Sequence, residues 1–337
     1  MAAHSPSFDE LRAEVDDELA RFLADRRRAL PEARTLVDEI ARLVSSGGKR
    51  IRPAFCYWGF RAGGGKHSAE AVRAAASLEL LHTFAIVHDD IMDSSEERRG
   101  MPTVHVLRGL DVALLVGDLA LVLADALFFG SGFSPALVAG AFERYSSMRQ
   151  EVIAGQYLDL EMCKAPVVTE DRARWVAVLK SGRYSIEQPL AIGARLAGAD
   201  DALLARLRAF GAPLGEAFQL RDDLLGTFGD RSSVGKPVDS DIREGKRNVP
   251  YAKTVAALSG PERDFFVSRW GGGAGLSERE VEGLRALVES SGARAQTERL
   301  LEELSAVALQ ALGELGLGEE VHGALVELAH VATFRQT

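Results

Sequence analysis

The sequence has very little cysteine and no excess of positive charge. Its two cysteines, Cys56 and Cys163, are too few and too isolated for a disulfide framework or a zinc site, which favours a reducing, cytoplasmic location. Lys and Arg number 40 against 49 Asp and Glu, a net charge of −9. Because phosphate backbones select strongly basic surfaces, we expect no nucleic-acid partner.

A long uninterrupted hydrophobic run is also missing. Residues 1–22 carry acids where a signal peptide would need an apolar stretch. The most apolar region, residues 110–129, is interrupted by Asp111, Asp118 and Asp125, whose charges would be costly inside a bilayer. We therefore expect no membrane span, and we interpret the region as a buried helix in which Asp118 and Asp125 are buried structural acids.

Sustained strand alternation is absent as well, whereas apolar residues recur at three- and four-residue spacing. Residues 10–30, 69–93 and 203–210 all show the helical pattern. The chain has 337 residues, of which 47% are hydrophobic, enough to bury a sizeable core. No Pro- or Ser-rich linker divides it. The sequence therefore predicts an all-α protein, a single-domain bundle of about ten or more helices.

Two pairs of adjacent acids interrupt apolar helical segments. Asp89, Asp90 and Asp93 form the first cluster, and Asp89 and Asp93 share a helix face because they are four residues apart. Asp222 and Asp223 form the second. A lone pair of this kind is typical of a helix end paired with Arg, but two clusters without His or Cys favour Mg²⁺, which binds one or two carboxylates together with substrate phosphates.

Basic residues that suit phosphate accompany both acid clusters. Residues 45–53 place two glycines before Lys49 and Arg52 at a predicted helix start, an arrangement that suits an anion. Five residues after the first cluster come Arg98 and Arg99. The second cluster is followed by Lys236, Lys246 and Arg247. Acids for a metal and bases for phosphate thus occur together twice.

Seven motifs occur in an order that resembles one family. They are GGKRIRP (47–53), LLHTFAIVHDDIMD (80–93), EERRG (96–100), GQYLDL (155–160), KSGRY (180–184), FQLRDDLLGTFGD (218–230) and GKPVDSDIREGKR (235–247). In this order they resemble the trans-prenyl diphosphate synthases, or polyprenyl synthetases, and most of all the short-chain geranylgeranyl and farnesyl diphosphate synthases.

The resemblance implies an isoprenoid synthase fold, with one domain over residues 1–337 around a central active-site cavity. Within it we expect an N-terminal helix (1–30), a motif-bearing core (35–250) and C-terminal helices (251–337). The resemblance also implies a homodimer that condenses isopentenyl diphosphate with allylic diphosphates. The alternatives are a terpene cyclase on a similar scaffold and a catalytically inert regulatory subunit.

Residue roles follow by position from the resemblance. It implies that the diphosphate of isopentenyl diphosphate is held by Lys49, Arg52, His82 and Arg99. It implies that Asp89, Asp93 and Asp222 bind Mg²⁺, with three ions present when substrate is bound. Direct contacts to the allylic diphosphate are expected from Arg98, Lys236 and Lys246. Beside the allylic cation we expect Lys180, Ser181 and Gln219.

The second acid motif departs from the family pattern. Gly226 stands where many relatives have a third aspartate, and Asp230 lies two helical turns beyond Asp222 and cannot replace it. We expect Asp222 to carry the metal alone. In GQYLDL, Gln156 and Asp159 are expected to surround the metal site without binding the ion.

Product length is predicted from the positions four and five residues before the first aspartate, Asp89. In the family, large aromatic residues at both positions resemble the pattern of enzymes that make C15 products. One aromatic residue beside a small residue resembles the pattern of enzymes that make C20 products. Phe84 and Ala85 therefore predict geranylgeranyl diphosphate, with farnesyl diphosphate and a longer polyprenyl diphosphate as alternatives.

One hypothesis from a different class starts from two other pairs of residues. Glu79 with His82, and Glu319 with His322, have the spacing of ligands in di-iron helical bundles. This hypothesis leaves both acid clusters and the basic motifs unexplained.

Overall fold

The computed structural model describes residues 6–229 and 239–333, and of residue 274 only the backbone. Sixteen α-helices occur in these ranges: α1 (Phe8–Ala29), α2 (Arg34–Ser45), α3 (Ile51–Ala62), α4 (Ala69–Met92), α5 (Val104–Arg108), α6 (Leu110–Phe129), α7 (Pro135–Cys163), α8 (Glu170–Ala177), α9 (Gln188–Leu196), α10 (Asp201–Phe228), α11 (Ser240–Glu244), α12 (Val249–Ala257), α13 (Gly260–Arg269), α14 (Glu278–Ser290), α15 (Ala293–Gly313) and α16 (Glu319–Thr333).

The remaining regular elements are short. Two 3₁₀ turns cover Pro31–Ala33 and Gly273–Gly275, and a π-helix covers Val178–Glu187. Two antiparallel strands, β1 (Glu97–Arg98) and β2 (Met101–Pro102), form one small hairpin. The predicted all-α fold is confirmed, whereas the hairpin and the π-helix were not predicted.

Helix ends follow the local sequence. At the start of α1 the Glu10 amide donates to Ser7 Oγ at 3.3 Å, and the Ser7 amide donates to Glu10 Oε2 at 2.8 Å. These reciprocal bonds satisfy two amides that have no partner inside the helix. Ser277 and Glu280 repeat the arrangement at α14.

The described residues form two compact units, each discontinuous in sequence. The first contains residues 6–147, 185–208 and 312–328, and the second contains residues 148–184, 209–311 and 329–333, apart from the undescribed segment. The single-domain organisation stays a prediction.

In the first unit, small residues let helices approach closely. A Cβ on Gly59 of α3 would lie 2.2 Å from Leu190 O of α9, and a Cβ on Gly193 of α9 would lie 1.8 Å from Cys56 O. Both glycines are therefore required where α3 and α9 cross. α4 packs against α6, and α6 presents small residues such as Ala113, Gly117 and Ala120 on its buried side.

The interpretation of residues 110–129 as a buried helix is only half right. One side of α6 is buried, while the exposed side carries Leu114, Leu115, Val122 and Phe129. By length and composition alone, α6 is the one described helix that could cross a membrane. Asp118 is exposed rather than buried, with 66% of its side chain accessible, so that prediction was wrong.

The second unit is built around two apolar clusters. One includes Met162, Val176 and Leu220. The other includes Tyr251 and Phe266. The first cluster fixes α7, α8 and α10 relative to one another, and these helices carry several of the predicted site residues.

Candidate active site

The loop before α3 fixes Arg50 as a structural residue. Arg50 takes a left-handed backbone conformation (φ 50°), and its buried side chain donates to Asp16 Oδ1 at 2.7 Å and to Glu79 Oε1 at 2.6 Å. Its Nη2 also donates to Val44 O at 2.5 Å. A non-glycine residue keeps this conformation only where its surroundings enforce it, and here two ion pairs and a carbonyl do so.

The hairpin that follows α4 folds back onto the first acid cluster. Arg99 (φ 54°) and Gly100 (φ 70°) form its two-residue turn, and positive φ at both positions is what a type I′ turn requires. The guanidinium of Arg98 donates from Nε and Nη2 to the Asp90 carboxylate at 2.7–3.0 Å. Arg98 Nη2 is also 3.6 Å from Asp89 Oδ2. Asp90 is therefore a positioning acid that the sequence analysis left without a role.

Four arginines surround His82 in the first unit. Removal from water, followed by the charges of Arg52, Arg99, Arg98 and Arg50, lowers the pKa of His82 well below its ordinary value. The imidazole is therefore neutral at physiological pH. Arg52 Nη2 donates to Ser185 Oγ at 2.8 Å.

Arg99 has no carboxylate partner among residues 6–229 and 239–333. Its Nη1 donates to Ser46 Oγ at 3.1 Å and to Gly47 O. Burial is the main cause that lowers the pKa of Arg99; the charge of Glu79 acts in the opposite direction, and the charges of the neighbouring arginines add to the lowering. Gly48 makes room for this cluster, because a Cβ there would lie 3.0 Å from Arg50 Nη1 and 3.2 Å from Arg99 Nη2. Lys49, in the same loop, is exposed.

The last turn of α4 places Asp89 and Asp93 as predicted. The Asp93 amide donates to Asp89 O at 2.8 Å, so the helical turn is complete and both carboxylates lie on one face. Both side chains are half-buried, whereas Asp90 is 3% exposed. The two acids predicted to bind metal are therefore the accessible ones.

The two predicted chain-length residues lie on different sides of α4. Phe84 is buried, and its ring contacts the His88 ring edge-to-face with centroids 5.0 Å apart. His88 Nε2 is 3.2 Å from Leu114 O of α6. A Cβ built on Gly117 of α6 would lie 2.2 Å from the same His88 nitrogen, so this side of α4 faces α6. Ala85 is half-buried and lies one turn before Asp89, on the face of the two acids predicted to bind metal.

In the second unit, glycines bring two helices against the π-helix. A Cβ on Gly155 of α7 would lie 2.4 Å from Lys180 N, and a Cβ on Gly215 of α10 would lie 2.5 Å from Gly182 O. Lys180 and Ser181 sit in this wide helical segment, with Ser181 buried. π-Helical segments are often found at functional sites.

Asp159 joins two predicted substrate-binding lysines. Its Oδ2 accepts from Lys180 Nζ at 2.7 Å and from Lys246 Nζ at 3.3 Å. Asp159 is 7% exposed, and such paired charges hold each other in place. Lys180 and Lys246, which are far apart in sequence, therefore meet at one carboxylate.

Carboxylates of the second acid motif lie close together. Gln219 Nε2 donates to Asp223 Oδ1 at 2.7 Å, while the buried Asp223 Oδ2 has no hydrogen-bond partner among the described residues. Burial, and after it the charge of Asp241, raise the pKa of Asp223 well above its ordinary value. Asp222 and Asp159 act in the same direction. The charge of a cation bound nearby would offset this repulsion.

The acids of the described ranges do not form a complete metal cage. No group of three or more His, Cys, Asp or Glu side chains there is arranged to hold a metal ion, so a bound ion would need further ligands from substrate phosphates and water.

The di-iron hypothesis requires Glu79 as a metal ligand. Glu79 Oε1 is instead paired with the buried Arg50, 2.6 Å from its Nη1. Lys236 and Asp230 lie outside the described residues.

Comparison with known proteins identifies the family. The model of the polyprenyl synthetase family matches residues 34–274. The chain belongs to the polyprenyl synthetase family. A geranylgeranyl diphosphate synthase from Sulfolobus acidocaldarius is 35% identical over 271 residues, covering 78% of each chain. A (2E,6E)-farnesyl diphosphate synthase from Mycobacterium bovis is 34% identical over 303 residues, covering 89% of this chain and 83% of the relative.

A solved polyprenyl synthetase has nearly the same fold. The crystal structure of geranylgeranyl pyrophosphate synthase from Corynebacterium glutamicum, complexed with isoprenyl diphosphate and magnesium, superposes with a TM-score of 0.94 at 32% identity, covering 98% of this chain and 100% of that chain. The chain is accordingly a prenyltransferase with the isoprenoid synthase fold, as the seven motifs predicted.

Proposed function

We propose that this polyprenyl synthetase condenses isopentenyl diphosphate with allylic diphosphates and releases geranylgeranyl diphosphate as its main product. The observation that carries the proposal is the group of arginines around a neutral His82. Arg50 and Arg98 are already paired with carboxylates, and a diphosphate would neutralise the remaining positive charge of the cluster through charge-assisted hydrogen bonds. The names of the relatives described above agree with a short-chain product.

The isopentenyl diphosphate site is proposed at Lys49, Arg52, His82 and Arg99. Arg99 meets only neutral oxygens in the described structure, so its charge is available to the substrate. Neutral His82 can add a hydrogen bond without further positive charge.

The allylic diphosphate is proposed to bind with Mg²⁺ at Asp89, Asp93 and Asp222, three ions being present when substrate is bound. The accessible carboxylates of Asp89 and Asp93, and the repelling acids around Asp223, suit a hard divalent cation. When bound, the metal supplies positive charge that neutralises the departing diphosphate. Direct contacts are proposed from Arg98, Lys236 and Lys246.

The reaction proceeds by ionisation, condensation and elimination. The allylic C–O bond breaks and its electron pair leaves with the diphosphate, which Arg98 and Lys246 help to neutralise. Oxygen dipoles at Ser181 and Gln219 stabilise the allylic cation. The isopentenyl double bond then attacks this cation, and the released diphosphate takes the proton that is lost. Lys180 is positioned beside the cation by Asp159, and no side-chain base is required.

Chain length is proposed to depend on Phe84 and Ala85. The small Ala85 leaves the face of α4 below Asp89 open, and the bulky Phe84, about 7–8 Å below Asp89 along the helix, limits the length of the growing chain. A farnesyl product is the second candidate, because a farnesyl diphosphate synthase is among the relatives described above.

We also propose that the protein acts as a homodimer in the cytoplasm. The exposed side of α6 carries Leu114, Leu115, Val122 and Phe129, and several exposed apolar residues on one helix side are typical of a protein interface. Neither Cys56 nor Cys163 forms a disulfide in the described structure, in keeping with a reducing compartment.

Product analysis tests the proposal. The enzyme is incubated with labelled isopentenyl diphosphate and with a C5, C10 or C15 allylic diphosphate in turn, and the products are separated by chain length. A main C20 product from each primer is expected. Predominant C15 would establish the second candidate. Release of a hydrocarbon without use of isopentenyl diphosphate would indicate a terpene cyclase, and no turnover with any primer would indicate an inert subunit.

A further inference from the structure

The guanidinium of Arg50 joins helix α1 to the loop before α3. Its Nε donates to Asp16 Oδ1 of α1 at 2.7 Å, and its Nη1 donates to Glu79 Oε1 of α4 at 2.6 Å. The side chain of Asp16 is 45% exposed, whereas that of Glu79 is 7% exposed. Burial by itself would lower the pKa of Arg50, but the charges and hydrogen bonds of Glu79 and Asp16 together raise it. Arg50 is therefore a buried cation whose direction is set by one acid from each of two helices.

The same guanidinium holds two carbonyls of the loop before α3. Arg50 Nη2 donates to Val44 O at 2.5 Å, and Nη1 donates to Gly47 O at 3.3 Å. Gly47 has a φ of 91°, in a region that glycine adopts much more readily than other residues. Because glycine has no side chain with which to pack this turn, the hydrogen bonds to its backbone define where it lies.

The Gly47 carbonyl is shared between Arg50 and Arg99. Arg99 Nη1 donates to Gly47 O, and also to Ser46 Oγ at 3.1 Å. A change in the direction of Arg50 would therefore move an oxygen that positions Arg99. A chain of hydrogen bonds thus runs from Asp16 through Arg50 and Gly47 O to a residue of the proposed isopentenyl diphosphate site.

Helix α1 is held in place by contacts other than Asp16. Its buried residues include Leu11, Val15 and Leu19, and Glu18 Oε1 is 3.4 Å from Arg73 Nε of α4. The loss of Asp16 alone would leave these contacts intact. Helix α1 also precedes residues 34–274, which the family model matches, so the family comparison assigns Asp16 no role.

We propose that Asp16 is a positioning residue for the binding of isopentenyl diphosphate. It orients Arg50, and Arg50 holds the Gly47 carbonyl that in turn positions Arg99. The inference rests on the proposed role of Arg99 in binding this substrate. Helix α1 then contributes to substrate affinity through the loop before α3.

The test compares Asp16→Ala with Asp17→Ala in the full chain. We expect Asp16→Ala to raise the KM for isopentenyl diphosphate about threefold to tenfold. Its kcat and the KM for the allylic substrate should stay unchanged, because the loss of uniform binding raises KM alone. The loss of an acid makes its surroundings more positive and would by itself favour an anion, so a higher KM cannot come from charge alone. Asp17 is an exposed acid on the same helix, and Asp17→Ala should leave both KM values unchanged.

A conservative variant supplies the rescue. Asp16→Glu keeps a carboxylate that can reach Arg50 and should restore the wild-type KM, whereas Asp16→Gln keeps only a neutral acceptor and should restore less. Isothermal titration calorimetry with isopentenyl diphosphate alone measures the affinity apart from turnover, and thermal unfolding shows whether each variant is folded. The inference would be overturned by an unchanged affinity in folded Asp16→Ala, by an equal loss in Asp17→Ala, or by equal rises of both KM values.

Arg99→Ala separates this inference from the proposed function. If Arg99→Ala weakens the binding of isopentenyl diphosphate and Asp16→Ala does not, only the role of Asp16 is wrong. If folded Arg99→Ala binds isopentenyl diphosphate like the wild type, the proposed site for this substrate is wrong, and the inference about Asp16 falls with it.

Discussion

At the scale of single residues, the accessible acids carry the proposed metal chemistry. Asp89→Asn or Asp222→Asn should reduce kcat by about 10²–10³, the usual loss when one charge-stabilising partner of a transition state is removed. The fold should be retained, because Asp89 and Asp222 are half-buried and their replacement leaves no cavity. Steady-state kinetics and circular dichroism measure the two effects.

Asp171→Asn is the matched control, since Asp171 is an exposed acid on α8 without a proposed role. It should retain wild-type turnover. A folded Asp89→Asn or Asp222→Asn variant that keeps half of its activity would contradict the metal assignment.

The basic residues are divided between two diphosphates, and the division can be measured. Arg52→Ala should raise the KM for isopentenyl diphosphate about tenfold or more, as expected from the loss of a charged hydrogen bond, with a smaller effect on the allylic substrate. Lys246→Ala should do the reverse. Both KM values are obtained by varying one substrate at saturation of the other.

Lys253→Ala serves as control, because Lys253 pairs with Glu170 at 2.7 Å and has no proposed substrate. It should change neither KM. Equal increases for both substrates in Arg52→Ala and in Lys246→Ala would mean that the basic residues are divided wrongly.

Residue positions within one helix could be predicted, but partners from distant segments could not. The shared face of Asp89 and Asp93 follows from helical spacing alone. Asp159 meets Lys180 and Lys246 only because α7, the π-helix and the residues after α11 come together. Sequence spacing says nothing about such encounters between distant segments.

At the scale of elements, helices were predictable and short special segments were not. The apolar period predicted a helix over 69–93, and α4 covers Ala69–Met92. The π-helix has no periodic pattern of its own, since it depends on the packing of Gly155 and Gly215 against its backbone. The Arg99–Gly100 turn could have been suspected from Gly100, but Arg99 needs φ of 54°, which a non-glycine residue rarely adopts.

Helix α4 also carries the proposed determinants of chain length. Ala85→Phe should shorten the main product towards C15, because it adds an aromatic ring one turn below Asp89. Phe84→Ala should lengthen it beyond C20, because it removes the ring that packs on His88. Product chromatography after incubation with labelled isopentenyl diphosphate measures both shifts.

Truncation of the buried Phe84 also costs about 3–5 kcal/mol of stability, so the variant's fold is checked by thermal unfolding. Leu81→Ala is the comparison, since Leu81 is fully buried one turn earlier on α4. If Leu81→Ala lengthens the product while Phe84→Ala and Ala85→Phe change nothing, the limit lies deeper along the helix and the C20 proposal loses its physical basis.

At the scale of the whole molecule, the exposed apolar side of α6 is the surface that we propose for the contact between two copies of the chain. Val122 is 60% exposed and Leu115 is 53% exposed, while the exposed Asp118 on the same helix would be costly in a bilayer. A second copy of the chain fits this mixture better than lipid, because protein interfaces combine an apolar centre with a polar rim.

Charge placed on this surface should therefore dissociate the proposed homodimer. Val122→Glu together with Leu115→Glu should shift the mass measured by light scattering after gel filtration from twice the chain mass to the chain mass, since buried, unpaired charges oppose association. Val307→Glu, at a residue of α15 that is 55% exposed, is the matched control and should remain dimeric. A double variant that stays dimeric would place the interface elsewhere, and a monomeric wild type would refute the proposed homodimer.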